Sequence, residues 1–330
     1  ASGEASLPLS LLFGVRGPGA LLRLRVQGEF MMPVQAPLRL TLKHLLFATD
    51  FSEISAAALP FAVAVGRRFG STIHVVHVLS HAELQPTPES APVALEYAIT
   101  EGAEQQMAEL LRSSAFAGVP HDGRIRSGAE IWAEIEAVIA SEKVDLVVLG
   151  SHGREGLKQI VLGSIAEAVF RTAPCPVLVV GPKVKPRAST DGIFRQILFA
   201  TDLSPASLKA LPFVQAFADE NQANLVVAHA TQERITSEHE RQVTSESLRK
   251  WMRELIPPRP RLEYEVLCGP AADEILGLAA TRECDLIMLG AHHASSFASH
   301  LPGAVAHRIV AEAPCPVLTV HQKQPAPDWY

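Results

Sequence analysis

The chain contains the same pattern of strand-like and loop segments twice, and this internal duplication restricts its fold more than any other feature of its 330 residues. The segment LLFATDFS at 45–52 recurs as ILFATDLS at 197–204, a spacing of 152 positions. Further along, VDLVVLGSH recurs as CDLIMLGAH, and Gly150 and Gly290 are 140 positions apart. Solenoid repeats are only about 20–50 residues long, so this repeat indicates a duplicated domain. The change in spacing indicates that the second copy is 12 residues shorter in its middle.

The duplication divides the chain into two domains with flanking and connecting segments. From the N-terminus we predict an extension at 1–38, a first domain at 39–183, a linker at 184–189, a second domain at 190–323 and a tail at 324–330. The linker lies in a stretch rich in Pro, Gly and small polar residues, which is typical of a domain boundary. The extension matches nothing else in the chain, and we expect it to be disordered or to precede a natural start at Met31 or Met32.

Strand-like and helical patterns alternate along each copy. In the first copy the strand-like segments are KHLLFA, TIHVVHV, a short stretch at 124–126, VDLVVLG and PVLVV. Helical patterns lie between them, at 52–70, 91–114, 129–141 and from Ser164 onward. Continuous apolar runs separated by helices are typical of a parallel sheet covered on both faces. The sequence therefore predicts an α/β fold with two tandem doubly wound parallel-sheet domains of the Rossmann-like type.

Charge and hydropathy exclude two classes of partner. With 48% apolar and 19% charged residues, the composition is that of a globular protein. The chain has 35 acidic and 29 basic residues, a formal charge of −6 and no basic block, so we expect no nucleic acid partner. No apolar run approaches the ~18 residues that a membrane-spanning helix requires, so we expect no membrane partner.

Cysteine and histidine usage indicates neither a disulfide framework nor a metal site. The cysteines are few and lie beside apolar strand-like segments, so we expect buried free thiols of a reducing compartment, the cytoplasm. They are Cys175, Cys268, Cys284 and Cys315. Histidines cluster in the second copy, but their spacing matches no familiar zinc pattern. They are His292, His293, His300 and His307.

The loop GSHGREGLKQIVLGS at 150–164 is the candidate binding site of the first copy. It begins at the carboxyl end of a predicted strand and ends at the start of a predicted helix. In doubly wound sheets, ligands bind beyond the carboxyl ends of the strands, and the start of a helix favours an anion. We expect Ser164 to cap this helix and to donate its hydroxyl to a phosphate. The spacings G-x-x-x-x-G-K-[ST] and G-x-G-x-x-G are both absent from the loop.

The glycines of this loop resemble a known ATP-binding pattern. Gly150, Gly153 and, after nine further residues, Gly163 and Ser164 resemble the pattern G-2x-G-9x-G-[ST] of the universal stress protein family. LLFATDFS and APCPVLVV resemble the first and last strands of the same family. The resemblance extends over roughly 40–322 and, with the duplication, is to the tandem-domain members. It implies domains of the adenine-nucleotide-binding type, with ATP as the ligand.

The resemblance implies a role for each matching residue of the first copy. Asp50 would accept hydrogen bonds from the ribose hydroxyls, with Ala48 and Thr49 lining the same wall. The backbone of Val78 would contact the adenine, and Mg²⁺ would be shared between phosphate oxygens. The residues around the phosphates would be Gly150, Gly153, Arg154, Gly163, Ser164 and Ile165. Two simpler interpretations stay open: Asp50 could organise the turn after its strand, and Arg154 could be an ordinary surface residue.

The second copy keeps the length of the loop but not the groups that contact phosphate in this pattern. In GAHHASSFASHLPGA, His293 stands at the middle glycine position and Ala304 at the serine position. An imidazole would occupy phosphate space, and alanine can neither cap a helix nor donate a hydroxyl. We therefore predict one ATP per chain, bound in the first copy, with the second copy as a packing partner whose site is degenerate.

The last strand of each copy is expected at a sheet edge, where unpaired backbone groups favour pairing with another strand. In the universal stress protein family the equivalent strands pair across a two-fold axis. We predict that Val177–Val180 and the strand from Val317 to Val320 join the two copies in an intramolecular pseudo-dimer. A homodimer of whole chains is left open.

These inferences predict a cytoplasmic ATP-binding universal stress protein that acts as a nucleotide-dependent stress-response or regulatory module, with a protein partner that the sequence does not identify. A general base beside the γ-phosphate is not evident, because His152 and Glu155 have no predicted partner that would orient them. A slow ATPase or phosphate-transferring protein of the same fold is the first alternative. A nucleotide-independent structural or interaction dimer module is the second.

Overall fold

The computed structural model describes residues 40–81, 92–151, 162–184, 194–208, 210–231, 237–256, 258, 260–291 and 305–321. All of these residues belong to one compact unit that spans Leu38–Tyr330. Within the ranges given, no helix is both long enough and apolar enough to cross a membrane.

The first copy alternates strands and helices as the sequence predicts. Its elements are β1 (His44–Ala48), α1 (Glu53–Phe69), β2 (Thr72–Ser80), α2 (Pro92–Leu111), a short 3-10 helix (Ser114–Phe116), β3 (His121–Gly128), α3 (Ile131–Glu142), β4 (Leu146–Gly150), α4 (Ser164–Thr172) and β5 (Val177–Val180). The third strand is longer than the predicted stretch at 124–126, because its polar side chains hide the strand pattern. The α/β class is confirmed.

The second copy repeats this order with a broken first helix. Its elements are β6 (Gln196–Ala200), α5 (Pro205–Leu208), α6 (Leu211–Glu220), β7 (Asn224–Thr231), α7 (Glu238–Leu255), β8 (Leu262–Cys268), α8 (Ala271–Thr281), β9 (Leu286–Ala291), α9 (Val305–Glu312) and β10 (Val317–His321). Ile73 of β2 pairs with His121, 48 positions later, whereas Leu225 of β7 pairs with Leu262, 37 positions later. The shortening of the second copy therefore lies mainly between its second and third strands.

Both copies contribute to a single ten-stranded sheet with the order β3-β2-β1-β4-β5-β10-β9-β6-β7-β8. Neighbouring strands are parallel within each copy. At the centre, β5 and β10 are antiparallel, with Leu178 opposite Leu318 and Val179 opposite Val317. The predicted pairing of the two final strands is therefore present, and neither of them forms an edge of this sheet.

The strands of the first copy place side chains on both covered faces of the sheet. Leu45 and Phe47 of β1 belong to the same buried cluster as Leu59 of α1. Leu46, between them, belongs to the cluster on the other face, together with Ile135 of α3. Successive residues of a strand point to opposite faces, so the buried part of a strand covered on both faces is mostly apolar. This requirement is why KHLLFA was recognisable as a strand.

Helix α1 begins and ends at residues that favour those positions. The Ser52 hydroxyl oxygen accepts a hydrogen bond from the Ser55 amide at 3.2 Å and so caps the first turn. Gly70 follows the last turn with φ of 67°, a left-handed conformation that glycine adopts without steric cost. The start of α1 is thereby fixed directly behind the end of β1.

All four cysteines are free thiols, but they differ in exposure. Cys175, Cys284 and Cys315 are buried, as expected. Burial raises the pKa of the Cys175 thiol to about 12 and that of Cys284 to about 11. Cys268 is only half-buried, contrary to the expectation, because it ends β8, an outer strand of the sheet.

Candidate functional site

The strand order of the first copy reverses beside β1. The chain passes from β1 outward to β2 and β3 and then returns to the opposite side of β1 as β4. The connecting helices cover different faces, since α1 packs with the cluster around Phe47 and α3 with the cluster around Leu46. Ligands of doubly wound sheets bind in the crevice beyond the carboxyl ends of the strands at such a reversal. For the first copy, this crevice lies beyond Ala48 of β1 and Gly150 of β4.

The strand register brings three candidate segments to this crevice. Ala48 pairs with Val76 of β2 and with Leu149 of β4. Two residues beyond these partners are Asp50, Val78 and Ser151, of which Val78 is still in its strand while Asp50 and Ser151 follow the ends of theirs. Adjacent strands are about 4.8 Å apart, so the three segments form one continuous wall.

The backbone polar groups of Val78 point toward the β1 side of β2, at a level where β1 has already ended. The Val76 carbonyl accepts a hydrogen bond from the Thr49 amide at 2.9 Å and therefore points toward β1. Backbone groups of a strand alternate in direction, so those of Val78 point the same way as those of Val76. The Val78 side chain belongs to the buried core. Only its backbone is placed for the predicted adenine contact, which stays a prediction.

Thr49 uses its side chain inside the turn that follows β1. Its hydroxyl lies 3.0 Å from the Ser55 hydroxyl and accepts a hydrogen bond from the Phe51 amide at 3.0 Å. Phe51 has φ of 61°, a left-handed conformation that is uncommon for a bulky residue. The second copy repeats the arrangement, with Thr201 bonded to the Leu203 amide at 3.0 Å and Leu203 at φ of 60°. The turn is therefore a structural feature of both copies.

Asp50 is half-buried and organises the same turn. Its Oδ1 accepts hydrogen bonds from the Ser52 amide at 3.1 Å and from the Ser52 hydroxyl at 2.7 Å. Burial opposes ionisation of the carboxyl, but these hydrogen bonds outweigh it, and the pKa of Asp50 is lower than its ordinary value. Asp202, in the second copy, accepts from the Ser204 amide at 2.9 Å. A turn-organising role is therefore present in both copies, and ribose binding stays a prediction.

Gly150 allows the end of β4 to pass close to the first turn of α1. A Cβ at this position would lie 2.9 Å from the carbonyl oxygen of Ile54. A Cβ at Gly290 would lie 2.8 Å from the carbonyl oxygen of Ser207, at the equivalent place in the second copy. Both glycines are therefore required by packing of strand end against helix start. Any phosphate contact at Gly150 is an additional, predicted role.

The two ends of the candidate loop are held together. The Gly163 amide donates to the carbonyl oxygen of Ser151 at 2.8 Å, which closes the loop on itself. Gly163 is the cap residue of α4, with extended backbone angles of −62° and 151° and no side-chain cap. The expectation that Ser164 caps the helix is therefore wrong, because Ser164 is already the first helical residue. Its side chain is exposed at the helix start, while Ile165 packs against the core.

Other predicted site residues lie outside the described ranges. These are Gly153 and Arg154 in the first copy and, in the second, His293 and Ala304, which replace Gly153 and Ser164. Their predicted roles stay predictions. His307 lies on α9. Across the described ranges, no group of three histidine, cysteine or acidic side chains could hold a metal ion.

His77 is a neighbour of the candidate site for which the sequence predicted no role. It lies on β2, next to Val78, and its Nδ1 donates to the carbonyl oxygen of Thr49 at 2.8 Å. In the second copy the Nδ1 of His229 lies 3.0 Å from the carbonyl oxygen of Thr201. The two histidines are 152 positions apart, which identifies them as equivalent residues of the repeat. This spacing does not reveal that each contacts the turn after a neighbouring strand.

Comparison with known families finds the same family in both copies. The family model described as "Universal stress protein family" matches residues 41–181 and 193–321. A universal stress protein of Methanocaldococcus jannaschii is 29% identical to this chain over 152 residues, which cover 42% of this chain and 81% of that protein. A universal stress protein A homolog of Coxiella burnetii is 32% identical over 144 residues, which cover 43% of this chain and 97% of that protein.

A solved structure matches both copies at once. The crystal structure of a universal stress protein from Archaeoglobus fulgidus has a TM-score of 0.65 and 20% sequence identity to this chain. The match covers 86% of this chain and 97% of that one. At this identity the likeness shows the fold alone.

Proposed function

The chain belongs to the universal stress protein family, and on this premise we propose that its first copy binds ATP and that occupancy of the site alters the shape or partner surface of the molecule. In this proposal the second copy has a degenerate site and serves as the packing partner of the first. The protein acts in the cytoplasm as a nucleotide-dependent regulatory module. Its protein partner is to be found by experiment.

One observation carries the proposal: three segments with suitable chemistry lie at the carboxyl ends of neighbouring strands, beside the reversal of strand order. Asp50 supplies a carboxylate whose lowered pKa keeps it ionised and able to accept hydrogen bonds from ribose hydroxyls. Val78 presents its backbone toward the gap beyond β1. The start of α4, bonded through Gly163 to the end of β4, presents amide groups that favour an anion.

The helix start suits phosphate better than a self-capped helix would. The cap residue Gly163 has no side chain that could satisfy the first amides of α4, whereas Ser52 does so for α1. The exposed Ser164 hydroxyl stands beside these amides as an additional donor. A triphosphate at this place would receive backbone and hydroxyl hydrogen bonds without a lysine. Mg²⁺ would be bound by the phosphate oxygens, and its remaining ligands would be water molecules or groups of the loop.

Two measurements on the purified chain test the proposal. Extraction of the protein as it is isolated should release an adenine nucleotide, identified by mass spectrometry. Calorimetric titration of the nucleotide-free chain with MgATP should show saturable binding. Absence of both would contradict ATP binding and favour a nucleotide-independent dimer module. Phosphate release that follows the protein concentration would instead identify a slow ATPase.

A further inference from the structure

His77 is buried between two segments of the proposed site, and only 3% of its surface is exposed. Its Nδ1 lies 2.8 Å from the carbonyl oxygen of Thr49. A carbonyl oxygen can only accept a hydrogen bond, so the proton of this bond must be on Nδ1. The contact therefore determines which nitrogen of the neutral ring is protonated.

The bond from His77 completes the attachment of Thr49 to β2. The Thr49 amide already donates to the Val76 carbonyl oxygen at 2.9 Å. With the His77 bond, both backbone polar groups of Thr49 are held by consecutive parts of one strand. Thr49 immediately precedes Asp50, and Val78 immediately follows His77. The distance between the ribose and adenine contacts therefore depends on this attachment.

The turn after Thr49 needs such support because its backbone is strained. Phe51 has φ of 61°, a left-handed conformation that is unfavourable for a non-glycine residue. Its ring lies against that of His77, with 4.5 Å between the ring centroids. His77 thus contacts the turn twice, once through the Thr49 carbonyl and once through the Phe51 ring.

We propose that His77 is the positioning residue of the nucleotide site: it holds Asp50 at the distance from the Val78 backbone that a single adenosine can span. This inference rests on the proposed function. It adds the residue that makes the site specific for a nucleoside, in which adenine and ribose are joined. His77 touches neither phosphate nor base in this assignment. It acts through the Thr49 carbonyl.

The second copy supplies an internal control for a purely structural role. The Nδ1 of His229 makes the same kind of bond, 3.0 Å long, to the Thr201 carbonyl. Its ring is only half-buried, and Leu203 takes the place of Phe51. If the bond served stability alone, removal of either histidine would lower the unfolding temperature without changing nucleotide affinity. If it positions a ligand, only removal of His77 changes nucleotide affinity.

The experiment compares His77→Leu, His77→Asn and His229→Leu in the full chain, by calorimetric titration with MgATP and by thermal unfolding without nucleotide. We expect His77→Leu to weaken ATP binding about three- to tenfold, the equivalent of one lost hydrogen bond. Asparagine can donate from nearly the position of Nδ1, so His77→Asn should restore most of the affinity. His229→Leu should lower the unfolding temperature but leave the ATP affinity unchanged.

The outcomes separate this inference from the proposed function. A parent chain that does not bind ATP contradicts the proposed function itself. A parent that binds ATP, with His77→Leu binding equally well or His229→Leu weakening binding as much, overturns the role of His77 alone. If His77→Leu does not fold, His77→Gln is used in its place. The glutamine amide lies near the Nε2 position of the imidazole and therefore does not replace the Nδ1 donor. Equal affinities of the Gln and Asn variants then overturn the inference.

Discussion

Asp50 combines a turn contact with its proposed binding role, because its Oδ1 already accepts two hydrogen bonds from Ser52. The sequence left both interpretations open, and it could not separate them because Asp and Ser favour turns in any protein. The structure shows the turn contact in both copies. What differs is the environment, since Asp50 is half-buried and Asp202 is exposed.

The lowered pKa of Asp50 predicts a pH-dependent contribution to stability. The ionised carboxylate stabilises the folded state above the unfolded pKa, near 3.8, and this contribution is lost as the pH falls through the lower folded pKa. Asp50→Asn should therefore be less stable than the parent at pH 7, and the difference should shrink as the pH falls below about 3.8 and disappear only below the lower folded pKa. Urea unfolding at a series of pH values measures it.

Asp202→Asn is the matched control for the binding role of Asp50. It changes the equivalent exposed carboxylate in the second copy, and we expect its ATP affinity to equal that of the parent. Asp50→Asn should bind ATP more weakly at pH 7. A stability difference that grows toward acid pH, or equal losses of affinity in both variants, would contradict the assignment.

The residue pattern of the loop predicts that Ser164 lies at the start of a helix, but not whether it is the cap residue or the first helical residue. Its position at a helix start was predictable from the loop, but serine and glycine are both accepted at the cap, so the pattern could not tell which of the two occupies it. In the structure Gly163 is the cap and Ser164 is the first helical residue. The Ser164 side chain is consequently exposed and available to a ligand.

Ser164→Ala should therefore weaken ATP binding without destabilising the fold. Loss of one hydrogen bond to a charged acceptor corresponds to roughly 1.5–3 kcal/mol, or about ten- to a hundredfold in affinity. Ser237→Ala is the opposite control, because Ser237 caps α7 through a 3.1 Å bond to the Glu240 amide. It should cost about 1 kcal/mol of stability and no ATP affinity. The reverse pattern in calorimetry and urea unfolding would refute the role of Ser164.

At the scale of elements, the buried strands were predictable and the outer strands were less so. β1 and β4 are covered on both faces and, apart from His44 at the start of β1, are apolar, which a sequence displays directly. β3 is an outer strand whose residues are mostly half-buried or exposed, and only a short part of it was predicted. The broken first helix of the second copy was not predicted, because the helical pattern of the two copies is similar up to Pro60 and Pro212.

The antiparallel pair of β5 and β10 joins the strands of the two copies into one sheet, and its disruption should separate their unfolding. Proline at 318 removes a backbone donor in the middle of the sheet, where neither its ring nor its fixed φ is accommodated. We expect Leu318→Pro to convert one urea transition into two and to lower the first midpoint strongly. Intrinsic fluorescence and circular dichroism should both report the separation.

Leu318→Val is the control for the loss of side-chain packing at the same fully buried position. It retains the backbone amide and should cost less than about 1.5 kcal/mol, with a single transition. Identical unfolding curves for the two variants would show that the strand pairing does not couple the copies.

At the scale of the whole molecule, the two copies preserve contacts while exchanging the residues that make them. Arg124 on β3 donates to Glu142, at the end of α3, at 2.6 Å. At the equivalent place of the second copy the charges are reversed, with Glu265 on β8 bonded to Arg282 after α8. The structural framework has therefore been maintained in both copies. The candidate phosphate loops, in contrast, differ in sequence at positions predicted to contact a nucleotide.

The sequence predicted this asymmetry from two positions, His293 and Ala304, which stand where the first copy has Gly153 and Ser164. Gly153→Val should abolish ATP binding, because a branched side chain would enter the space that the phosphates need. His293→Ala is the matched change in the second copy and should leave binding as it is. Both variants should unfold at nearly the parent temperature, since the changes are confined to the loops.

The most direct test of one nucleotide per chain is the stoichiometry of MgATP binding, measured by calorimetric titration of the nucleotide-free full chain. We expect a value near one for the parent and for His293→Ala, and no binding for folded Gly153→Val. Two equivalent sites, or binding that survives Gly153→Val and is lost on His293→Ala, would contradict the assignment of the site to the first copy.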